Sequence, residues 1–208
     1  MKQDKSFLSV RQRLYLPFKR VFDIFLSFLA IVVFSPLYIV LAILVKCSSK
    51  GPIFFKQERI GKNKKHFKIL KFRTMRIDTP KDVPTHLLKN PEQYITKIGK
   101  FLRKTSLDEI PQAFNIFIGQ MSVVGPRPAL YNQDDLVAER DRYNANFLRP
   151  GLSGWAQCNG RDTLPIPEKA KLDGEYVQRL NVWFDTKIIF KTVFQAFRGK
   201  DEVEGKLR

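Results

Sequence analysis

The chain has 208 residues, and its 37 Lys and Arg against 20 Asp and Glu give a formal net charge of +17. This length allows one compact domain with its own core, and the 44% hydrophobic content is too high for a disordered basic protein. Only two cysteines are present, with no Cys/His cluster at metal-ligand spacing, which excludes a disulfide framework and a structural zinc site and favours a reducing compartment.

The first feature along the chain is residues 24–45, which contain no charged side chain. As a helix this stretch is about 33 Å long, enough to match the roughly 30 Å hydrocarbon core of a bilayer. Basic residues flank both ends, so the positive-inside bias places both ends in the cytoplasm. Proline disfavours the α conformation in the residue before it, so Ser35-Pro36 predicts a break near the middle.

Two interpretations of this segment stay open, a re-entrant hairpin that enters and leaves on one face, and one kinked span. In the hairpin, the carbonyl near Val32 would accept from the Ser35 hydroxyl or from protein. Asp23, just before the apolar stretch, is predicted to form an interfacial ion pair with Arg20. The domain division is therefore residues 1–47 for the basic N-terminus and the broken apolar segment, and residues 48–208 for a globular part.

The globular part is predicted to begin with a β-hairpin, residues 52–57 and 66–73, joined by a longer loop. In its second strand, the period of two places Phe67, Ile69, Lys71 and Arg73 on one face. The two basic side chains either enter an anion site or extend to solvent at the sheet edge.

Two further helices are indicated by their apolar stripes. One runs through Ile95, Ile98 and Phe101 and ends at Lys104, after a proline-containing loop at residues 79–91 that is either a lid or merely mobile. The other, near the C-terminus, repeats apolar residues at i, i+3, i+4 and i+7. It would either lie on the membrane surface with its lysines toward lipid phosphates or pack in the core; its stripe residues are Phe190, Val193, Phe194 and Phe197.

The acidic pair Asp108-Glu109 is the strongest candidate for chemistry. The spacing of Ser106 and Glu109 matches a capping box at a helix N-terminus, which would give the acids a purely structural role. Alternatively, adjacent carboxylates can hold Mg²⁺, and a carboxylate can attack phosphorus. That chemistry needs nearby cations, for which the candidates are Lys71, Arg103, Arg127, Arg149 and Arg161. Arg127 is notable because prolines on both sides fix it beside a glycine.

Several long motifs in fixed order resemble the bacterial sugar transferase family, the small monotopic phosphoglycosyl transferases. These motifs are residues 71–75 (KFRTM), 103–111 (RKTSLDEIP), 119–128 (GQMSVVGPRP) and 149–157 (RPGLSGWAQ). The resemblance implies an α+β fold, in which a re-entrant membrane hairpin precedes a small, loop-rich, mainly helical domain with a short β-hairpin and amphipathic interfacial helices. Ser35-Pro36 matches the helix-break motif of the family, which strengthens the hairpin interpretation. The resemblance thus implies that residues 1–47 are the basic N-terminus and re-entrant membrane hairpin, and that residues 48–208 are a cytoplasmic catalytic domain.

The resemblance also implies transfer of a sugar 1-phosphate from a UDP-sugar to polyprenyl (undecaprenyl) phosphate, releasing UMP and initiating bacterial glycan assembly. Asp108 would be the nucleophile that forms a covalent phosphosugar intermediate, and Glu109 would bind Mg²⁺ or transfer a proton. Both acids are also implied as metal ligands. Phosphate groups would be bound by Lys71, Arg103 and Arg127. The donor would be bound by Arg149, Gln157, Arg161 and Asp173.

The implied location is the cytoplasmic face of the bacterial inner membrane, with membrane phospholipids as further partners and a homodimer left open. Trp155 and the proline-rich residues 163–167 depart from the usual family pattern, which concerns the sugar and not the reaction. The competing interpretations are a membrane-tethered basic protein that binds nucleic acid or anionic lipid, and a catalytically idle scaffold. Nucleic acid is not expected, because the sequence has no recognition-helix pattern and its basic residues are spread throughout. The intact acidic pair argues against a scaffold.

Overall fold

The computed structural model describes residues 6–79, 91–160 and 164–197. The fold is α+β, as expected, with short strands among many helices. The helices are α1 (Val10–Val33), α2 (Ser35–Ser48), α3 (Lys97–Lys104), α4 (Gln112–Phe117), α5 (Asp134–Asp141), α6 (Trp155–Cys158), α7 (Ile166–Gln178) and α8 (Val182–Phe197). The strands are β1 (Phe54–Ile60), β2 (His66–Phe72), β3 (Ser122–Val124) and β4 (Gly151–Ser153).

The N-terminal apolar segment forms two helices, α1 and α2, that meet at an angle of 63°. In the described part of the chain no single helix has both the length and the apolar character to cross a membrane, whereas this bent pair has both. The Ser35 hydroxyl donates to the Val32 carbonyl at 2.8 Å, as predicted. The helix break at Ser35-Pro36 is therefore confirmed.

The first half of α1 is fastened to the globular part through Asp185 of α8. One carboxylate oxygen of Asp185 accepts from Lys19 Nζ at 2.6 Å and from the Tyr15 hydroxyl at 2.7 Å. The other oxygen accepts from the Tyr176 hydroxyl at 2.7 Å. Burial, reinforced by Asp185, raises the pKa values of both tyrosines, so they remain hydrogen-bond donors.

The predicted ion pair between Asp23 and Arg20 does not form. Asp23 is buried and accepts from the start of β3, at 3.0 Å from the Ser122 hydroxyl and 2.9 Å from the Val123 main-chain nitrogen. Arg20 donates instead to two main-chain carbonyls at the C-terminal end of α4. The last carbonyls of a helix have no partner within the helix, so they are available to a side-chain donor. The sequence alone does not reveal these partners, because they come from elements that are distant along the chain.

The predicted β-hairpin is confirmed: β1 and β2 are antiparallel, with Phe54 opposite Phe72 and Ile60 opposite His66. Phe67 and Ile69 are buried against α4 and the residues that follow it. Arg73, just beyond β2, takes neither predicted role. It is 5% exposed and donates to carbonyls at the end of α2 and in the following turn, so it caps that helix.

A parallel pair, β3 and β4, holds together two irregular loops of the second half. Gly125 and Gly151 approach so closely that a Cβ on Gly151 would lie 2.1 Å from the Gly125 nitrogen. A Cβ on Gly154 would lie 2.3 Å from the Gly125 carbonyl oxygen. Because only glycine fits at these contacts, the start of α6 is fixed directly behind the loop that carries Arg127.

The predicted C-terminal amphipathic helix is α8, and its aromatic stripe does not pack in the core. Phe190 and Phe194 are 69% and 54% exposed, while Phe184 and Ile188 on the opposite face are buried. The stripe therefore does not pack in the core, and its contact with a membrane stays a prediction. The helix predicted to end at Lys104 is α3, and the side chain of Phe197 and most of the predicted loop at residues 79–91 lie outside the described residues.

Candidate active site

The acidic pair lies on a 3₁₀ turn, Leu107–Glu109, between α3 and α4. The capping box that the spacing of Ser106 and Glu109 allowed does not form: Ser106 adopts a left-handed conformation with φ of 56°, its side chain makes no capping hydrogen bond, and α4 begins six residues later, at Gln112. Leu107 and Ile110 on either side of the acids pack against a buried cluster that includes Phe72. These two apolar contacts hold the turn so that the acids between them face away from the buried cluster.

Lys71 reaches the acidic pair from the end of β2. Its Nζ lies 2.7 Å from Glu109 Oε1 and 4.0 Å from Asp108 Oδ2. The alternation of the strand explains this position, since Lys71 continues the face begun by Phe67 and Ile69. Lys71 therefore pairs with carboxylates and does not extend to solvent at the sheet edge, and its role in an anion site stays a prediction.

Arg127 reaches the same acids from the loop after β3. Its Nη2 lies 3.8 Å from Glu109 Oε1, and prolines on both sides restrict the backbone that carries it. Arg103, in the last turn of α3, donates from Nε to the Thr74 hydroxyl at 2.9 Å. Two separate elements, β2 and the loop after β3, thus bring the basic groups of Lys71 and Arg127 to one acidic turn.

The cluster is partly open to solvent. The side-chain exposure is 11% for Asp108, 20% for Lys71, 22% for Glu109 and 40% for Arg127. Two of its cation–carboxylate distances, 3.8 and 4.0 Å, are longer than hydrogen bonds. Such an arrangement can exchange its internal contacts for contacts with an incoming phosphate.

The donor set at the acidic turn fits Mg²⁺ only as a site shared with a substrate. The part of the chain that the structure describes contains no group of three or more His, Cys, Asp or Glu side chains arranged to hold a metal. Mg²⁺ commonly binds through one or two carboxylates together with substrate phosphates and water. Asp108 and Glu109 match that pattern.

The residues implied for donor binding are not all in one place. Arg149 donates to the Gly119 carbonyl at 2.9 Å. Burial, together with the positive charge of Arg149, lowers the pKa of Arg20. Gln157 donates to the Leu152 carbonyl at 3.1 Å. Asp173 is 1% exposed. Arg161 lies outside the described residues.

Asp173 forms a closed ion pair with Arg140, which joins α7 to α5. Its Oδ2 accepts from Arg140 Nε at 2.8 Å and from Nη2 at 2.7 Å. Burial raises the pKa of Asp173, and the Arg140 guanidinium opposes that shift. The structure therefore places Asp173 inside a helix–helix contact, apart from the acidic turn.

One residue near the site was missed by sequence reasoning. The Tyr38 hydroxyl of α2 donates to the Ile110 carbonyl at 2.7 Å, immediately after Glu109. Its ring packs against Phe72 and Phe114. A tyrosine within an otherwise apolar segment was the available signal, because a buried phenol needs a partner for its hydroxyl.

Comparison with known proteins places this arrangement in a family. The family model described as bacterial sugar transferase matches residues 14–199. The chain is 42% identical over 195 residues to the UDP-glucose:undecaprenyl-phosphate glucose-1-phosphate transferase of Escherichia coli (strain K12), covering 88% of this chain and 40% of the relative.

Two other relatives differ in name and in length. A UDP-N-acetylgalactosamine-undecaprenyl-phosphate N-acetylgalactosaminephosphotransferase of Aeromonas hydrophila is 36% identical over 194 residues, covering 89% of this chain and 45% of the relative. The exopolysaccharide production protein ExoY of Rhizobium meliloti (strain 1021) is 38% identical over 191 residues, covering 84% and 83%. The chain thus spans less than half of the first two relatives and most of the third. Since the family match extends over most of its residues, the chain belongs to the bacterial sugar transferase family.

Proposed function

We propose that this protein transfers a sugar 1-phosphate from a UDP-sugar to undecaprenyl phosphate, releasing UMP and starting the assembly of a bacterial glycan. The observation that carries the proposal is the half-open acidic turn, Asp108-Glu109, with Lys71 and Arg127 converging on it from two other elements. The names of the relatives, which specify UDP-sugars and undecaprenyl phosphate, support the same substrate classes.

Asp108 is the proposed nucleophile. A carboxylate oxygen attacks the β-phosphorus of the donor, and the bond from that phosphorus to the bridging oxygen breaks, so that UMP leaves with the bonding electrons. The product of this step is an acyl phosphate that carries the sugar on Asp108. A phosphate oxygen of the lipid then attacks the same phosphorus, the bond to Asp108 breaks, and the free carboxylate is restored.

The neighbouring residues position phosphate groups and offset their charge. Lys71 and Arg127 come from two different elements to the same Glu109 oxygen, so an incoming diphosphate meets two cations beside the acids. Arg103 and Arg149 are proposed to add positive charge, and Gln157 and Arg161 are proposed to contact the donor. Asp173 is not assigned to the donor, because it is buried in its ion pair with Arg140. Mg²⁺ held by Asp108 and Glu109 would supply further neutralisation of phosphate charge.

The bent helix pair is proposed to be a re-entrant membrane anchor, which places the protein on the cytoplasmic face of the inner membrane. Large apolar side chains are exposed along both helices, including Phe25, Phe28 and Ile43 at 60%, 55% and 57%. Tyr38 connects this anchor directly to the residue after Glu109. The acidic turn is thereby coupled to the part of the chain proposed to contact lipid, where a lipid phosphate would be found.

The test is to incubate the purified full chain with a panel of UDP-hexoses and N-acetylated or deoxy variants, first without lipid and then with undecaprenyl phosphate. With one of these donors we expect a covalent phosphosugar adduct, detected by intact mass spectrometry, and UMP release on adding lipid. The adduct should map to Asp108 and be absent from Asp108→Asn. UMP release without any adduct would contradict the two-step route and favour direct transfer.

The proposed metal requirement has its own measurement. UMP release should fall to background in EDTA and return on adding Mg²⁺, because the acids repel a diphosphate when no divalent cation is present. Full turnover in EDTA would contradict the assignment of Asp108 and Glu109 as metal ligands, while leaving the nucleophile assignment to the adduct experiment.

A further inference from the structure

Three cationic side chains lie near one aromatic ring, which is the indole of Trp155 at the start of α6. The ring centroid lies 5.9 Å from the Arg179 guanidinium, 5.8 Å from Lys187 Nζ and 4.9 Å from Lys191 Nζ. We refer to Trp155, Arg179, Lys187 and Lys191 as the Trp155 cluster. Its members come from α6, from the end of α7 and from α8, so the fold assembles it from separate elements.

The three cations of this cluster form no salt bridge with a carboxylate. Among the described residues, none of the three cations lies within 4.0 Å of a carboxylate oxygen, and Lys191 donates instead to the neutral Asn159 side chain at 2.7 Å. The Glu175 carboxylate lies at the edge of the ring, where it accepts from the indole nitrogen of Trp155 at 3.0 Å, so three positive charges face one negative charge. Like charges held close together repel, and an anion placed among them would relieve that repulsion.

The ring holds these cations in place. A cation near an aromatic face is attracted by its quadrupole, and Arg179 also lies 4.3 Å from the Phe184 ring centroid. Lysine and arginine side chains otherwise lose considerable conformational freedom when they bind a ligand. The cluster is therefore partly organised for an anion before the anion arrives.

An exposed apolar surface lies directly beside the cluster on α8. Trp183, Phe190 and Phe194 are 81%, 69% and 54% exposed, and their spacing places them on one side of the helix. Lys187 is one turn after Trp183, at the border between this apolar side and the Trp155 ring. A soluble anion would need the cations only, whereas a ligand with both a phosphate and acyl chains would use both surfaces.

We propose that the Trp155 cluster binds the phosphate of an anionic phospholipid headgroup, while the apolar side of α8 contacts its acyl chains. This inference rests on the proposed membrane association and adds a partner to it, an anionic lipid selected over a zwitterionic one. The chemistry is charge complementarity. Three cations accommodate a headgroup of net negative charge, and they repel the ammonium group of a zwitterionic headgroup.

The positions of the tryptophans provide a direct readout. The chain contains two Trp residues, Trp155 and Trp183, one in the cluster and one beside it. We would titrate the full chain in detergent micelles with phosphatidylglycerol brominated on its acyl chains, and separately with brominated phosphatidylcholine. The expected result is that tryptophan quenching by phosphatidylglycerol reaches half its maximum at a concentration at least about 10-fold lower.

The matched variants separate the cluster from general basicity. Arg179→Gln combined with Lys187→Gln and Lys191→Gln should abolish the preference for phosphatidylglycerol. The control removes the same number of charges from exposed positions on the β1–β2 hairpin, by Lys56→Gln, Lys65→Gln and Lys68→Gln, and should keep the preference. Where the triple variant fails to fold, Lys187→Gln alone, at an exposed side chain, should reduce the preference about threefold.

Three outcomes would overturn the proposal. One is equal quenching of the unmodified chain by the two lipids, and another is an equal loss of preference in the control. The third is a triple variant that keeps its lipid preference but needs more UDP-sugar for half-maximal UMP release, which would assign the cluster to the donor. Asp108→Asn should quench like the unmodified chain, so failure of the proposed chemistry and failure of this inference are distinguishable.

Discussion

Two charge clusters in this protein, one at Asp108-Glu109 and one at Arg140-Asp173, use the same chemical groups in different ways. In the first, the side chains are between 11% and 40% exposed and two of the cation–carboxylate distances approach 4 Å. In the second, the side chains are 5% and 1% exposed and the contacts are 2.7 and 2.8 Å. The closed cluster joins two helices, and the open one leaves room for a ligand.

Both regions contain paired charges, so their presence alone does not identify a candidate site. What distinguishes the structural ion pair is that its side chains are buried and its contacts are short. A buried pair that is fully enclosed must remain intact, because removing one partner leaves an uncompensated charge. A half-open cluster tolerates the loss of one partner, since water solvates the other. Substitutions in the two clusters should therefore affect different measurements.

The largest expected effect is on activity, from Asp108→Asn. Removing the proposed nucleophile should lower the rate of UMP release by at least about 10³-fold, with the unfolding midpoint unchanged. Asp173→Asn is the matched substitution in the closed cluster, and it should lower the unfolding midpoint while each folded molecule keeps its turnover. If Asp173→Asn instead abolished turnover at unchanged stability, Asp173 would have the donor-binding role that the family resemblance implied.

The next effect is on stability, from Arg140→Met. This change leaves the Asp173 carboxylate buried without its cation, and should lower the free energy of unfolding by about 3–5 kcal/mol. Arg142→Met, at an exposed arginine near the same helix end, is the control and should change stability by less than about 0.5 kcal/mol. Denaturant unfolding in detergent measures both. Equal small effects would mean that the buried pair adds little to stability.

A smaller effect is expected from Lys71→Met. Loss of one cation beside the proposed phosphate site should reduce the rate of UMP release by about 10²-fold. Stability should hardly change, because Glu109 is 22% exposed and can be solvated. Lys68→Met on the solvent face of the same strand is the control, and steady-state kinetics with the preferred donor would compare them. Similar rates for the two variants would exclude a role for Lys71 in binding phosphate.

The smallest effect is expected from Tyr38→Phe, which keeps the ring and removes only the hydrogen bond to the Ile110 carbonyl. The free energy of unfolding should fall by about 1 kcal/mol. Turnover should fall more than the apparent affinity for the donor, because the turn that carries Glu109 loses a support. Tyr143→Phe is the control, since among the described residues its hydroxyl has no hydrogen-bond partner. An unchanged kcat in Tyr38→Phe would limit this contact to packing.

Much of the fold could be predicted because its signals are local. Alternation indicated the β1–β2 hairpin, proline indicated the break between α1 and α2, and an apolar stripe indicated α3. The errors arose where a local pattern met a distant partner. Ser106 and Glu109 have capping-box spacing, but the left-handed Ser106 and the packing of Leu107 make a separate turn.

The candidate site was predictable in composition but not in assembly. Lys71 and Glu109 are 38 residues apart, and no periodic pattern connects them, so only the family resemblance brought them together. The restriction of Arg127 by its flanking prolines was the one local hint that it had a fixed task. Tyr38 and Arg20 were missed as supports because their partners are main-chain carbonyls, which the identity of a side chain does not reveal.

The bonds from Tyr38 and Arg20 have a consequence for engineering this protein. Both ends of the segment that contains α4 are held by the α1–α2 pair, at the Ile110 carbonyl from α2 and at the Ile116 carbonyl from α1. Replacing α1 and α2 with an unrelated apolar segment would remove both of these hydrogen bonds. Chimeras and truncated versions should therefore be designed to retain the native α1–α2 pair.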